Sequence, residues 1–426
     1  MKPTKNHVSE LYNKYFGWRV KLQKAFWPSA FAALGVFWVR GGNFDQLWMQ
    51  RWAVVLISLA GVLAYKIGKN ISWGFAPLTF TTLFSGIVPA YWFNRYDVGF
   101  VKNILSATNQ AIDKDNIWAV QSVARQDTSR ACFTFLLLFV VLRSFHRDTL
   151  GRLRMALGVC GIICAINIVM LAAAGGRADY WVPYFDNPSM GACFIVLSLF
   201  AIDANLAIQL HTFGRVAVWA VGLAAVLLTK TSAPLLALAA GGFAYLVSQW
   251  TVAEEFQSEK LRARYGRFIY LAPVLVAVVF VVGYMLQGSQ LWNNNSRFNM
   301  WTWFFEFWDR QDLFTHIFGF GTGSSRTFMP LAEVEHGMET GWYFWLHNDW
   351  LQILFEQGVA GFVALIIAAG TLVYKARYTP CAMAFLFAFG AIMLVNFPLH
   401  WPVHALLLAA VIAPATQLKP LKLPRR

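Results

Sequence analysis

Residues 341–361 read GWYFWLHNDWLQILFEQGVAG. An aromatic run ends at Trp345, three polar residues follow, and the chain then continues apolar to about Tyr374. His347, Asn348 and Asp349 therefore stand at the mouth of a candidate membrane helix. Polar and ionisable groups at that depth cost free energy unless they are paired or used, so such a cluster is a functional hypothesis by default. Glu356, two helical turns further in, is a second costly charge. It can orient a helix, hold a proton, or hydrogen-bond to a neighbouring helix.

The surrounding composition explains why this cluster stands out. The 426 residues are 58% hydrophobic and 13% charged, with 19 Trp and 37 Phe, which is too apolar for a soluble domain of this length. Apolar segments recur from Phe26 to Thr416, so residues 1–426 read as a single integral-membrane domain. A spanning helix needs about 20 apolar residues, and the chain offers about twelve candidates. They lie at 25–39, 52–66, 71–92, 128–143, 155–174, 189–207, 214–230, 232–250, 268–287, 348–374, 380–398 and 402–416. The expected fold is an all-α polytopic membrane protein. The basic amphipathic N-terminus lacks a small-residue cleavage site after a short apolar core and does not read as a removable leader.

The net charge of +14 would suggest nucleic acid in a soluble protein. Here its placement sets topology instead. With both termini in the cytoplasm, most of the 35 Lys+Arg fall on inside segments, as positive-inside bias requires. Two outside loops are long. Residues 93–127 include a candidate short helix near 98–107. Residues 288–347 form the larger periplasmic loop, with aromatics at 301–308, GFGTGSSR at 319–326, and Glu333, Glu335 and Glu339. The aromatic content argues against disorder. GFGTGSSR lacks the GK[ST] ending of a nucleotide loop and reads as a turn that folds the outer loop back. Cys132, Cys160, Cys164, Cys193 and Cys381 lie in apolar runs and read as buried thiols. No second pair completes a metal site around Cys160 and Cys164.

In this topology the helices opening near 189, 232 and 348 all begin at the outer face. Asn187, Thr231-Ser232 and Asn348-Asp349 are their capping candidates. Helix N-termini carry unpaired N–H groups and partial positive charge, which suits an anion. Lys230, Arg177, Arg297 and Arg326 lie on the same side, so a pyrophosphate is the fitting ligand. Single cations at a membrane face are ordinarily anchors, and that plainer account suffices for Arg177, Arg310 and Arg326 taken one at a time. Lys230 and Arg297 sit in apolar or aromatic surroundings, where charge is more costly. His347, with an ordinary pKa near about 6.5, is a candidate general base for a hydroxyl. The alternative is an interfacial histidine that caps or packs.

The stretch HNDWLQILFEQGVAG resembles the signature of the bacterial O-antigen ligase and polymerase superfamily. YFDNPSMGACFIVLSL at 184–199 is similar to that family's Asn-Pro segment. SRFNMWTWFFEFWDRQDLFTHIFGFGTGSS at 296–325 resembles its block of arginine, tryptophan and glycines before the histidine. LLTKTSAPLLALAAGG at 227–242 resembles a helix that normally begins Thr-x-Ser-Arg-Gly. The resemblance implies a twelve-helix inner-membrane glycosyltransferase, metal-independent and inverting, with no cofactor. Its partners would be an undecaprenyl-pyrophosphate-linked glycan donor and, as acceptor, lipid A–core, another glycan or a protein. By the same resemblance His347 is the catalytic base and Arg297 a pyrophosphate ligand. Lys230 replaces the missing arginine as a point charge without a bidentate fork, and Arg177 or Arg326 can compensate. Asn348, Asn187 and Glu356 support the site.

A ligase ranks first among the readings, with a polymerase or a protein oligosaccharyltransferase of the same family behind it. A transporter or flippase is the rival from another class. Transporters place polar groups at the bilayer midplane, between broken helices. This chain concentrates them at one face, which favours the enzyme.

Overall fold

The computed structural model describes residues 81, 147–179, 185, 187–255, 295–321, 325, 346–400 and 402–416. Nine α-helices fall within these residues: α1 (Arg147–Ala173), α2 (Pro188–Gln209), α3 (Thr212–Leu228), α4 (Ala233–Glu255), α5 (Asn295–Asp309), α6 (Leu313–Phe318), α7 (Asp349–Ala376), α8 (Pro380–Val395) and α9 (Pro402–Thr416). A short 3-10 helix, Pro398–His400, precedes α9. Seven of the twelve expected spans thus appear as helices, each within several residues of its expected bounds. Thr81 is helical; the remainder of span 71–92, and spans 25–39, 52–66, 128–143 and 268–287, lie outside the described residues. So do Cys132, Arg326 and the loop at 93–127.

Among the described residues, three helices are long and apolar enough to cross a membrane: Gly151–Ala173, Ala233–Val252 and Asp349–Ala376. Shorter apolar helices occupy Pro188–Asp203, Thr212–Leu228, Pro380–Val395 and Val403–Ile412. The helix starts follow local chemistry. Pro188 and Pro380 each open a helix at the first turn, where a missing N–H costs nothing. Helix α2 is buried on every side from Ala192 to Asp203 and forms the centre of the bundle. Helices α1, α3, α4, α8 and α9 pack around it. The outer stripe of α1 (Val159, Ile163, Ile166 and Met170) stays exposed and apolar, as a surface facing lipid or further helices should.

Within the expected outer loop, the described residues 295–318 hold two helices, α5 and α6. Helices α5 and α6 fold against α7, and an aromatic core of Trp303, Phe304, Trp308, Phe320 and Phe355 joins them. Phe320 stacks on Phe355 with centroids 4.6 Å apart.

Polar bridges show which helix ends lie together. Lys230, between α3 and α4, reaches Asp179, between α1 and α2. Asn396, after α8, reaches Ser189 at the start of α2. These ends share one face of the bundle with the start of α7. At the opposite end, the Ser248 hydroxyl of α4 donates to the Arg377 carbonyl after α7. Arg215 of α3 pairs there with the buried Asp203 of α2, which also accepts from Trp219 Nε1.

Candidate functional site

The start of α7 is tied down on every side. Asn348 is its N-cap, and its Oδ1 accepts from the backbone N–H of Trp350 at 3.0 Å and of Leu351 at 3.1 Å. This satisfies two of the orphan donors of the first turn. Asp349 is fully buried. Its N–H donates to the Asn396 carbonyl at 3.2 Å, and its Oδ2 accepts from Leu399 N–H at 2.8 Å. The Leu346 carbonyl, just before, accepts from Trp301 Nε1 at 2.9 Å. His347 is held between these anchors, half-buried, with its ring edge-on to Phe397 at 5.2 Å.

The start of α2 is built the same way and is joined to it. Asn187 Oδ1 accepts from Ser189 N–H at 2.9 Å and Met190 N–H at 3.2 Å. Asn396 Nδ2 donates to Ser189 Oγ at 3.0 Å, so one asparagine touches both helix starts. His404 of α9 is fully buried beside them, with Nε2 3.2 Å from the Met190 carbonyl. Two helix N-termini of the kind expected around residues 189 and 348 are therefore neighbours.

The third helix start carries the cations. Lys230 forms a tight turn between α3 and α4, with its N–H on the Leu227 carbonyl. Its ammonium lies 3.3 Å from Asp179 Oδ2 and is largely exposed. Arg177 meets the same carboxylate at 3.4 Å. The Arg177 guanidinium, and after it the Lys230 ammonium, hold the Asp179 carboxyl below the usual carboxylate range. Arg177 and Lys230 are thus brought together, with Asp179 as their shared counter-ion. Arg297 sits in the first turn of α5.

Backbone conformation singles out two of these positions. Among the described residues, Lys230 at φ 51° and His347 at φ 48° are the two non-glycine residues in the left-handed region. That conformation costs a residue with a Cβ about 1–3 kcal/mol and persists where surroundings impose it, often at functional sites. Both lie just before a helix start.

Glu356 and the glycine-rich turn answer one another. Helix α7 breaks at Gly358, which has φ 66° and ψ −168°. The break frees carbonyls, and the turn supplies donors: Phe320 N–H reaches the Phe355 carbonyl at 3.0 Å and Gly321 N–H reaches that of Glu356 at 2.8 Å. A Cβ on Gly319 would strike the backbone of Glu356 and Gln357, and one on Gly358 would strike the Ile317 carbonyl. Ser325 Oγ at 2.7 Å and Gln352 Nε2 at 3.0 Å then donate to Glu356 Oε1. Gly319–Gly321 is thus a turn, as the sequence indicated, and it caps a helix break, which the sequence did not indicate. Of the roles open to Glu356, the geometry displays the hydrogen-bonding one.

Sequence reasoning missed Asn396, Phe397 and Asp179. Asn396 and Phe397 open NFPLHW, a polar and proline-bearing break between two apolar runs, and that break was their available signal. Asp179 lay in GGRADY beside Arg177, where only the fold reveals Lys230 as the second partner. Among the described residues no group of three or more His, Cys, Asp or Glu gathers at metal-binding spacing.

Residues 216–366 match the family model described as O-antigen ligase. The match takes in Lys230, Arg297 and His347, and it bears out the resemblance read from the residues around His347. No curated protein and no solved structure matches the chain. Together with the apolar helices, the matched domain supports a membrane enzyme of the ligase and polymerase type, with a lipid-linked glycan and an acceptor as its partners.

Proposed function

We propose that this chain, similar over residues 216–366 to O-antigen ligases, is a glycosyltransferase that moves a glycan from undecaprenyl pyrophosphate to a hydroxyl of lipid A–core. The reaction takes place at the periplasmic face of the bacterial inner membrane, with both chain termini in the cytoplasm. The observation that carries the reading is the family match together with a histidine held in a left-handed backbone at a helix start within it.

In the proposed step His347 takes the proton from the acceptor hydroxyl. The oxygen attacks the anomeric carbon from the face opposite the leaving group, forming a glycosidic bond with inversion. The bond from that carbon to the pyrophosphate oxygen breaks, and its electron pair leaves on undecaprenyl pyrophosphate. Lys230, Arg177, Arg297 and Arg326 are the cations assigned to the charge that develops there, and fixed positive groups aimed at it lower the barrier. The bonds broken and formed balance with the proton on His347, so the residues need no nucleotide. The helix starts at Asn187 and Asn348 add oriented N–H dipoles on the same side.

The test is the surface glycan and lipid extract of a host deleted for this gene, complemented with wild type or His347→Ala. Long glycan stranded on undecaprenyl pyrophosphate in the His347→Ala strain supports the ligase. Core carrying a single repeat would replace it with a polymerase. Normal profiles in both strains would overturn both readings.

A further inference from the structure

The segment between α8 and α9 does more than join two helices. It ends α8 with an extended residue, Asn396, and Pro398 prevents the helix from continuing. Four contacts then run from this break to the two helix starts of the site. The Asn396 carbonyl takes the Asp349 N–H, and Leu399 N–H is taken by the Asp349 carboxylate. Asn396 Nδ2 holds Ser189, and the Phe397 ring stands edge-on against the His347 imidazole at an interplanar angle of 63°.

We infer that the break Asn396–Leu399 is a clamp that positions His347, with Phe397 and Asn396 as positioning residues for the transfer. The backbone argument is direct. His347 occupies a conformation it would not choose alone, and Asp349, two residues further on, is bonded on both its N–H and its carboxylate by this one segment. The side-chain argument concerns reach. A general base works only within hydrogen-bond distance of the proton it removes, and an imidazole free to rotate about its first side-chain bond spends most of its time elsewhere. The Phe397 ring occupies one side of that rotation. Asn396 ties the α7 start to the α2 start, its carbonyl taking the Asp349 N–H and its side-chain amide donating to Ser189. The catalytic consequence rests on the assignment of His347 as the base, whereas the clamp itself can be read independently.

The experiment uses the full chain in lipid nanodiscs, as wild type, Phe397→Leu, Phe397→Tyr and Asn396→Ala. The first readout is the rate at which diethyl pyrocarbonate modifies His347, followed on its peptide by mass spectrometry. The expected result is modification severalfold faster in Phe397→Leu and Asn396→Ala, with Phe397→Tyr close to wild type. The second readout is glycan transfer. Phe397→Leu should lower kcat by about tenfold to a hundredfold, the loss expected for a misplaced reacting group. Its donor KM should stay within about twofold, which a general loss of fold would not produce. Where Phe397→Leu does not insert, Phe397→Met replaces it. Wild-type modification rates in every variant would overturn the clamp, whatever the activity. If wild type and His347→Ala transfer equally while the modification rates still change, the clamp stands and the proposed reaction falls.

Discussion

His347 and Lys230 each accept a left-handed backbone, at φ 48° and 51°, and glycine would relieve that cost at either position. Their side chains are therefore the reason to keep them. For Lys230 the expected outcome is graded. Lys230→Arg retains transfer and Lys230→Ala raises the donor KM, and equal activity of all three proteins would remove Lys230 from the site. Asp179 adds a test with a defined sign. Its folded pKa lies below the ordinary 3.8 because two cations favour the carboxylate. The contribution of this pairing to stability is therefore complete above the ordinary value and is lost only as pH falls through the lowered one. Thermal midpoints of wild type and Asp179→Asn should run parallel from about pH 5 to pH 8 and converge only in stronger acid. The carboxylate is partly exposed, so the separation will be small and will shrink with salt. At this scale the sequence was informative about His347, Asn348 and Asn187, because caps and helix mouths are local. It was silent about Asp179 as a partner of Lys230, because the pair is 51 residues apart in the chain.

Helix α7 reads in sequence as one apolar run, and in the fold it is two. Its first segment, up to Gln357, spans only about 13 Å, while the part after Gly358 spans about 27 Å and suffices for most of a bilayer. The break is stable because the Gly319–Gly321 turn bonds the freed carbonyls and because both facing positions lack a Cβ. Gly358→Ala and Gly319→Ala should each destabilise the protein by about 2 kcal/mol or more, from an imposed positive φ or a backbone collision. Thermal unfolding in detergent measures this, and wild-type midpoints would dismiss the interlock. Glu356→Gln keeps an acceptor for Ser325 Oγ and should be milder than Glu356→Ala, which removes the acceptor of the Ser325 hydroxyl and one of the two acceptors of Gln352 Nε2. The glycines at 319 and 321 were visible as turn chemistry, whereas Gly358 lay inside an expected continuous helix. That Gly319 and Gly358 meet where the end of α6 abuts α7 was not visible, since neither position specifies the other.

Among the described residues, two polar groupings mark opposite ends of the bundle. One end holds the helix starts of α2, α4 and α7 with His347 and Lys230. The other holds the Arg215–Asp203 pair, in which Asp203 is buried and also bonded by Trp219. Removing Arg215 would leave a buried carboxylate without its cation, at a cost of about 3 kcal/mol. Arg215→Ala should therefore lower the thermal midpoint, while the protein that folds keeps the wild-type donor KM. A change in KM would mean that the two ends are coupled. The sequence by itself determined the class of this protein, because apolar runs of bilayer length and the placement of Lys and Arg depend on composition along a single stretch of chain. It also determined where α2, α7 and α8 begin, since Asn-Pro, His-Asn-Asp and Thr-Pro act within one turn. The tertiary structure alone decided which helix starts meet, through Asn396 and Asp179, and where α7 breaks. Those outcomes depend on contacts between segments tens to hundreds of residues apart, and no local pattern encodes a partner at that distance.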